Sequence, residues 1–99
     1  LYSQDYTSSW AQYSLVLPEN VDRSRLMSLM QEKEIPTMVY YSIPLHKQKV
    51  FNDMGYGEYS LPISENISKR IFSLPMHPYL EYEDQQYISF SLNEIVENQ

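Results

Sequence analysis

Histidine and paired carboxylates are the residue types in this sequence that could perform acid–base chemistry near neutral pH. The two histidines, His46 and His77, lie in separate turns that contain prolines. A metal site would need further ligands at workable spacing, which the sequence does not supply. We therefore interpret both as hydrogen-bonded loop residues. The acidic cluster Glu81, Glu83 and Asp84 could supply paired carboxylates, but at a helix start it is more typical of a solvated end that the helix dipole favours.

Other kinds of chemistry are excluded by the residue types that the chain lacks. It has no cysteine and only two glycines. The absence of cysteine excludes thiol catalysis, a disulfide framework and a zinc finger, and it favours a reducing compartment, so we expect a cytoplasmic protein. Two glycines cannot build a loop that cradles phosphate, and no Gly-x-Ser-x-Gly nucleophile motif occurs.

Tyrosine is the residue type that most favours a binding function. Ten tyrosines are more than a core of this size can bury. Each has an apolar ring and a polar hydroxyl, which suits interfaces and stacking sites. The pair Tyr40-Tyr41 ends a predicted strand and runs into the Pro44-Leu45-His46 loop, a position where binding residues are common. We predict a site at this pair, although a tyrosine-rich composition would by itself explain any single ring.

Length and charge limit the class of protein. The chain has 99 residues, which predicts a single domain over 1–99 with residues 1–9 leading into it. The net charge of −6 argues against nucleic acid or an anionic membrane as a partner. We expect no membrane span and no signal peptide, because no apolar run is long enough and the first ten residues are polar and aromatic. A start at Leu1 favours a fragment of a longer protein.

The first half of the chain predicts two strands and a helix. Residues 10–17 alternate in polarity, which is typical of a strand that ends at Pro18. Asp22 can cap a following helix. The apolar stripe of that helix comprises Leu26, Met27, Leu29 and Met30. After Pro36, residues 37–41 are predicted to form a second short strand.

The second half predicts three helices and one strand. A short helix over 47–54 would turn Val50, Phe51 and Met54 inward and end at Gly55. Residues Ile63, Ile67 and Ile71 recur at helical spacing after Pro62, with the helix ending near Lys69 and a strand at 71–74. The last helix spans 83–96 with Ile88, Leu92, Ile95 and Val96 on one side. Together these elements predict an α/β (α+β) two-layer small domain, with helices covering a short, mainly antiparallel sheet.

Five short motifs in a fixed order carry a resemblance to a known family. They are Ser9-Trp10-Ala11-Gln12-Tyr13, Ile35-Pro36-Thr37, the segment from Val39 to Gln48, Leu74-Pro75-Met76-His77-Pro78 and Glu83-Asp84-Gln85. From Ser9 to Val96 the chain closely resembles the C-terminal small domain of the DegT/DnrJ/EryC1/StrS family of pyridoxal-phosphate-dependent nucleotide-sugar aminotransferases, whose fold is like that of aspartate aminotransferase.

The resemblance implies a function for the whole enzyme. Family members move an amino group, usually from glutamate, to a nucleoside-diphosphate keto-sugar, for example in surface polysaccharide biosynthesis. Their pyridoxal phosphate is bound by a large domain that these residues do not match, so the fragment alone is expected to be inactive. The resemblance also implies a homodimer, with Tyr40, Tyr41 and His46 in a loop near the nucleotide-sugar at the dimer interface.

Three positions depart from the commoner family pattern. Many members have His in place of Tyr40 and Pro in place of Ser42, which changes the hydrogen bonds and the stiffness of this loop. At the position of Tyr82, members often have a Ser or Thr whose side chain caps the last helix. Because Tyr82 cannot cap, we expect that helix start to be weaker by about 1 kcal/mol.

Two interpretations of different class therefore stand. The first is a C-terminal fragment of a sugar aminotransferase, which contributes substrate contacts and an interface to the whole enzyme. The second is a free-standing, non-catalytic binding or structural domain with the same fold, whose tyrosines contact a protein partner. We favour the first.

Overall fold

The computed structural model describes residues 4–99, in which two strands and four α-helices alternate with two short 3₁₀ turns. The elements are β1 (Tyr13–Val16), α1 (Arg23–Glu32), a 3₁₀ turn (Leu45–Lys47), α2 (Lys49–Asp53), a second 3₁₀ turn (Tyr56–Glu58), α3 (Pro62–Arg70), β2 (Ile71–Leu74) and α4 (Tyr82–Glu97). The α+β prediction is confirmed. Of the predicted leading segment over 1–9, residues 1–3 lie outside the described range, and residues 4–9 contain neither helix nor strand.

The sheet consists of β1 and β2 in antiparallel pairing, with Leu15 opposite Phe72. The hydroxyls of Ser14 and Ser73, also opposite each other, are 2.8 Å apart and share a hydrogen bond. The strand predicted over 10–17 is shorter than expected because its partner β2 has only four residues, between the end of α3 and Pro75.

The strand predicted over 37–41 is wrong. Only Met38 pairs with the sheet, exchanging two backbone hydrogen bonds with Ser73. Within the predicted strand, Val39 packs against the core, whereas Met38 and Tyr40 are about half exposed. A longer ladder would therefore bury little more apolar surface, and the chain leaves the sheet edge after one bridge.

The core lies between the sheet, α1 and α4. Its buried hydrophobic residues are Leu17, Val21, Leu26, Met30, Ile35, Phe72, Ile88 and Ile95. In α1 the predicted cap is confirmed, because the Asp22 carboxylate accepts a 2.9 Å hydrogen bond from the Arg25 backbone N–H. The apolar stripe is confirmed: Leu26 and Met30 are fully buried, and Met27 and Leu29 on either side of them are partly buried against the core.

Helix α4 confirms the predicted stripe but begins earlier than predicted. Ile88 and Ile95 are buried, and Leu92 and Val96 pack against the core. The N-cap is Glu81, which makes no side-chain capping bond, so Tyr82 is the first helical residue. The prediction that Tyr82 occupies the cap position is therefore wrong by one residue.

The helix predicted over 47–54 is divided in two. Gln48 is extended, which separates the first 3₁₀ turn from α2, and the left-handed Gly55 ends α2. Val50 and Met54 are 59% and 65% exposed, so their predicted inward orientation is wrong. Phe51 is half-buried and makes an edge contact with Tyr56.

Helix α3 runs directly into β2, and Arg23 stabilises this junction. The Arg23 guanidinium donates to the carbonyls of Ser68 and Ile71, at 2.6 and 3.0 Å. The predicted end of α3 is confirmed within one residue, but Ile63 is 75% exposed and does not belong to a buried stripe. No helix within residues 4–99 is long and apolar enough to cross a membrane.

Candidate functional site

The predicted site residues lie on the loop that leaves the sheet edge at Met38 and reaches the first 3₁₀ turn. Tyr40 and Tyr41 are 51% and 62% exposed, and their ring centroids are 6.5 Å apart at an angle of 53°. Two neighbouring exposed rings form an apolar surface with hydroxyl groups at its margin. Such a surface can stack on a flat ligand and hydrogen-bond to it.

His46 occupies a different environment from the two tyrosines. Its side chain is only 8% exposed, and its Nε2 atom is buried without a hydrogen-bond partner among residues 4–99. Within the described part of the chain, no hydrogen bond or ion pair joins His46 to Tyr40 or Tyr41. The loop therefore brings the two tyrosines together at the surface and places the histidine beneath it.

Glu65, on the first turn of α3, is the residue that His46 faces. Its Oε1 atom lies 3.8 Å from His46 Nε2 and 3.6 Å from Lys47 Nζ. Its Oε2 atom accepts a 3.0 Å hydrogen bond from the backbone N–H of Leu61. Sequence reasoning missed Glu65, although an acidic residue just after a helix-starting Pro62 is a recognisable signal.

The second 3₁₀ turn closes the other side of this cluster. Lys47 Nζ donates a 2.7 Å hydrogen bond to the carbonyl of Gly57. A Cβ atom at Gly57 would lie 1.7 Å from Asn52 Oδ1, so any other residue there would require the Asn52 side chain to move. Tyr56 and Tyr59 stack with centroids 6.0 Å apart. The segment from Leu45 to Leu61 is thus a small layer of its own, attached to α3 through Glu65.

A second concave surface lies between the sheet and α4, away from this loop. It encloses about 780 Å³ and is lined mainly by apolar side chains, among them Leu15, Leu74 and Phe90. His77 also lines it, so the two histidines belong to different parts of the molecule. Within residues 4–99, no three His, Cys, Asp or Glu side chains lie together as a group that could hold a metal ion.

The lysines do not fit a pyridoxal phosphate site. A lysine that forms a Schiff base must be held unprotonated in a pocket that also anchors phosphate. Lys33 has a raised pKa because its ammonium is hydrogen-bonded to Glu94, which favours the protonated form. Lys47 is engaged with Gly57 and Glu65, Lys49 pairs with Asp53 at 2.7 Å, and Lys69 is exposed.

Comparison with known families agrees with this fold and its motifs. A family model described as the DegT/DnrJ/EryC1/StrS aminotransferase family matches residues 2–93. The chain therefore belongs to this family of aminotransferases.

Individual relatives are similar over most of the chain. A "Pleiotropic regulatory protein" of Geobacillus stearothermophilus is 46% identical over 78% of this chain and 20% of its own length. A "dTDP-3-amino-3,6-dideoxy-alpha-D-galactopyranose transaminase" of Aneurinibacillus thermoaerophilus is 32% identical over 73% of this chain and 19% of its own. The crystal structure of a DegT DnrJ EryC1 StrS aminotransferase from Brucella abortus aligns with a TM-score of 0.71 and 41% identity, covering 88% of this chain and 22% of that one. The chain spans about a fifth of the length of these relatives.

Proposed function

We propose that this chain is the C-terminal domain of a pyridoxal-phosphate-dependent aminotransferase that transfers an amino group from glutamate to a nucleoside-diphosphate keto-sugar. The observation that carries the proposal is the family match over residues 2–93, together with a relative that is named as a dTDP-amino-sugar transaminase. The cofactor is bound by a large domain outside these residues, and two copies of the enzyme form a homodimer. The absence of cysteine supports a cytoplasmic enzyme that serves surface polysaccharide or amino-sugar biosynthesis.

In this proposal the loop from Tyr40 to His46 contributes to the nucleotide-sugar site. The exposed rings of Tyr40 and Tyr41 support direct contact with the substrate. His46, which is buried, supports the loop from beneath. These contacts are remote from the reacting sugar carbon, so they act similarly in the ground state and the transition state.

The experiment is steady-state kinetics of the complete aminotransferase carrying Tyr41→Phe or His46→Ala, with the keto-sugar varied and glutamate saturating. We expect a higher KM for the sugar and a kcat that changes much less, because the lost contacts bind the substrate equally well in the ground state and in the transition state. Loss of one hydrogen bond to a charged diphosphate is worth about 1.5–3 kcal/mol, or roughly ten- to a hundredfold in kcat/KM.

The matched control is Tyr79→Phe, which removes the hydroxyl of a tyrosine that is 87% exposed on the turn before α4. This variant should keep the parental KM. If Tyr41→Phe and His46→Ala lower the melting temperature while the sugar KM stays at the control value, the loop has a structural role only and the proposed site is wrong.

One observation favours the second candidate, a non-catalytic binding domain. The relative that is 46% identical carries the name of a regulatory protein and not that of an aminotransferase. The coding region upstream of Leu1 distinguishes the two candidates. A segment carrying the cofactor lysine supports the enzyme, whereas a stop codon followed by a start site supports the free-standing domain.

A further inference from the structure

Glu65 connects the proposed sugar-binding loop to the rest of the molecule. One carboxylate oxygen accepts the N–H of Leu61, so the carboxylate is held at the start of α3. The other oxygen faces the first 3₁₀ turn, 3.8 Å from His46 Nε2 and 3.6 Å from Lys47 Nζ. A single acidic side chain thus meets two basic residues at the end of the loop.

The need for a partner is greater at His46 than at Lys47. His46 Nε2 is buried and has no hydrogen-bond partner among residues 4–99, and such a nitrogen is unfavourable in a folded protein. Lys47 is 39% exposed and already donates to the carbonyl of Gly57. At 3.8 Å the carboxylate and the imidazole are not hydrogen-bonded, but a small movement of the carboxylate toward Nε2 would form a charge-assisted hydrogen bond, which is stronger than a bond between neutral groups.

Helix α3 is suited to hold the Glu65 carboxylate next to His46. It continues without a linker into β2, where Phe72 and Ser73 are buried. The Arg23 guanidinium further fixes the junction through the carbonyls of Ser68 and Ile71. The loop between Met38 and Pro44 has no regular secondary structure, so its conformation depends on how its ends are held.

We propose that Glu65 is a positioning residue, which holds His46 and thereby keeps the Tyr40–His46 loop in the conformation that binds the nucleotide-sugar. This role rests on the proposed function, because it assumes that the loop contacts the sugar substrate. Glu65 acts through His46 and does not itself contact the substrate.

The test is Glu65→Gln in the complete aminotransferase, a change that keeps the size of the side chain and an acceptor for Leu61 but removes the charge. We expect KM for the keto-sugar to rise about tenfold, as for one lost charge-assisted hydrogen bond, with kcat within about twofold of the parent. Glu58→Gln, at an exposed carboxylate on the second 3₁₀ turn, is the matched control and should leave KM unchanged.

A double-mutant cycle identifies the partner. If Glu65 acts through His46, then Glu65→Gln combined with His46→Asn raises KM no further than His46→Asn alone, because neighbouring residues in one interaction are not additive. The same cycle with Lys47→Met should be additive. Additivity with His46, or coupling with Lys47 in its place, overturns the proposal.

The two proposals fail in different ways. If Tyr41→Phe and His46→Asn both leave KM unchanged, the sugar site is wrong and the role of Glu65 is wrong with it. If these variants raise KM while Glu65→Gln behaves as Glu58→Gln does, the sugar site stands and the positioning role alone is wrong. A Glu65→Gln protein with a lower melting temperature and parental KM also overturns the positioning role.

Discussion

Lys33 Nζ donates a 2.8 Å hydrogen bond to Glu94 Oε2 and so links the end of α1 to α4. This bond is the main cause that raises the pKa of Lys33 above its ordinary value of 10.5, against a smaller opposing effect of desolvation. The hydroxyl of Tyr87 also bonds to the Lys33 carbonyl. At the scale of one residue, these contacts make Lys33 a structural cation and not a nucleophile.

The Lys33–Glu94 bond predicts a dependence of stability on pH. A pKa that is raised in the folded state stabilises the fold fully below the unfolded value, and this contribution is lost as pH rises through the higher folded value. We therefore expect Glu94→Gln to lower the melting temperature at about pH 8, and the difference from the parent to shrink as the pH rises through the folded pKa of Lys33, which lies above its ordinary value of 10.5. Thermal unfolding of the variant and the parent at a series of pH values measures this difference in melting temperature. A difference that stays constant up to the alkaline end would contradict the assignment.

At the scale of the element, the rotation of α1 about its axis determines which of its leucines is buried in the core. Leu26 and Met30 are fully buried, one turn apart, whereas Leu29 is only partly buried beside α4. Side chains four positions apart lie on the same face of a helix. The sequence pattern placed Leu26, Leu29 and Met30 on one apolar face, and the tertiary packing shows that Leu26 and Met30 are more deeply buried than Leu29.

This ranking predicts different costs for two identical substitutions in α1. Leu26→Ala should lower the free energy of unfolding by about 2–5 kcal/mol, because it removes buried methyl groups and leaves a cavity. Leu29→Ala should cost less, since its side chain retains contact with solvent. Denaturant unfolding of both variants measures the two costs. A larger loss for Leu29→Ala would show that the helix is rotated from the described orientation.

At the scale of the whole molecule, the chain is extended for its length. Its radius of gyration is 16.0 Å, with extents of 48 × 38 × 20 Å. A compact domain of 100 residues has a radius of about 13 Å. Large apolar side chains remain exposed on the loop, on the segment from Leu45 to Leu61 and on α4. Exposed apolar surface of this kind is typical of faces that pack against another domain or chain, which fits the proposed larger enzyme.

The molecule as a whole is also predicted not to bind pyridoxal phosphate covalently. The ammonium groups of Lys33, Lys47 and Lys49 have carboxylate or carbonyl partners, and Lys69 is exposed. None of these four lysines lies in a pocket that anchors phosphate. We expect the 99-residue chain, treated with pyridoxal phosphate and borohydride, to show only weak labelling spread over several lysines by mass spectrometry. The complete aminotransferase is the positive control. Stoichiometric labelling of one lysine of this chain would contradict the prediction.

Elements with local signals could be predicted from the sequence alone. Asp22 caps α1 as its residue type indicates, because the bond to the Arg25 N–H is made within one turn. Strand β2 ends before Pro75 as predicted, and α4 buries Ile88 and Ile95 as their spacing indicates. The family motifs were likewise local patterns in a fixed order, and the match over residues 2–93 confirms them.

Only the tertiary structure decided the conformation and the contacts of the segment from residue 37 to residue 65. Its apolar residues predict a strand and an inward-facing helix. Met38 makes only one bridge, because β2 offers only four residues for pairing. Val50 is exposed, because α2 lies outside the core. The contact of His46 with Glu65 joins residues far apart in sequence, so no local pattern contains it. Capping and helical periodicity act between residues a few positions apart, whereas burial and ion pairing depend on which distant segments the fold brings together.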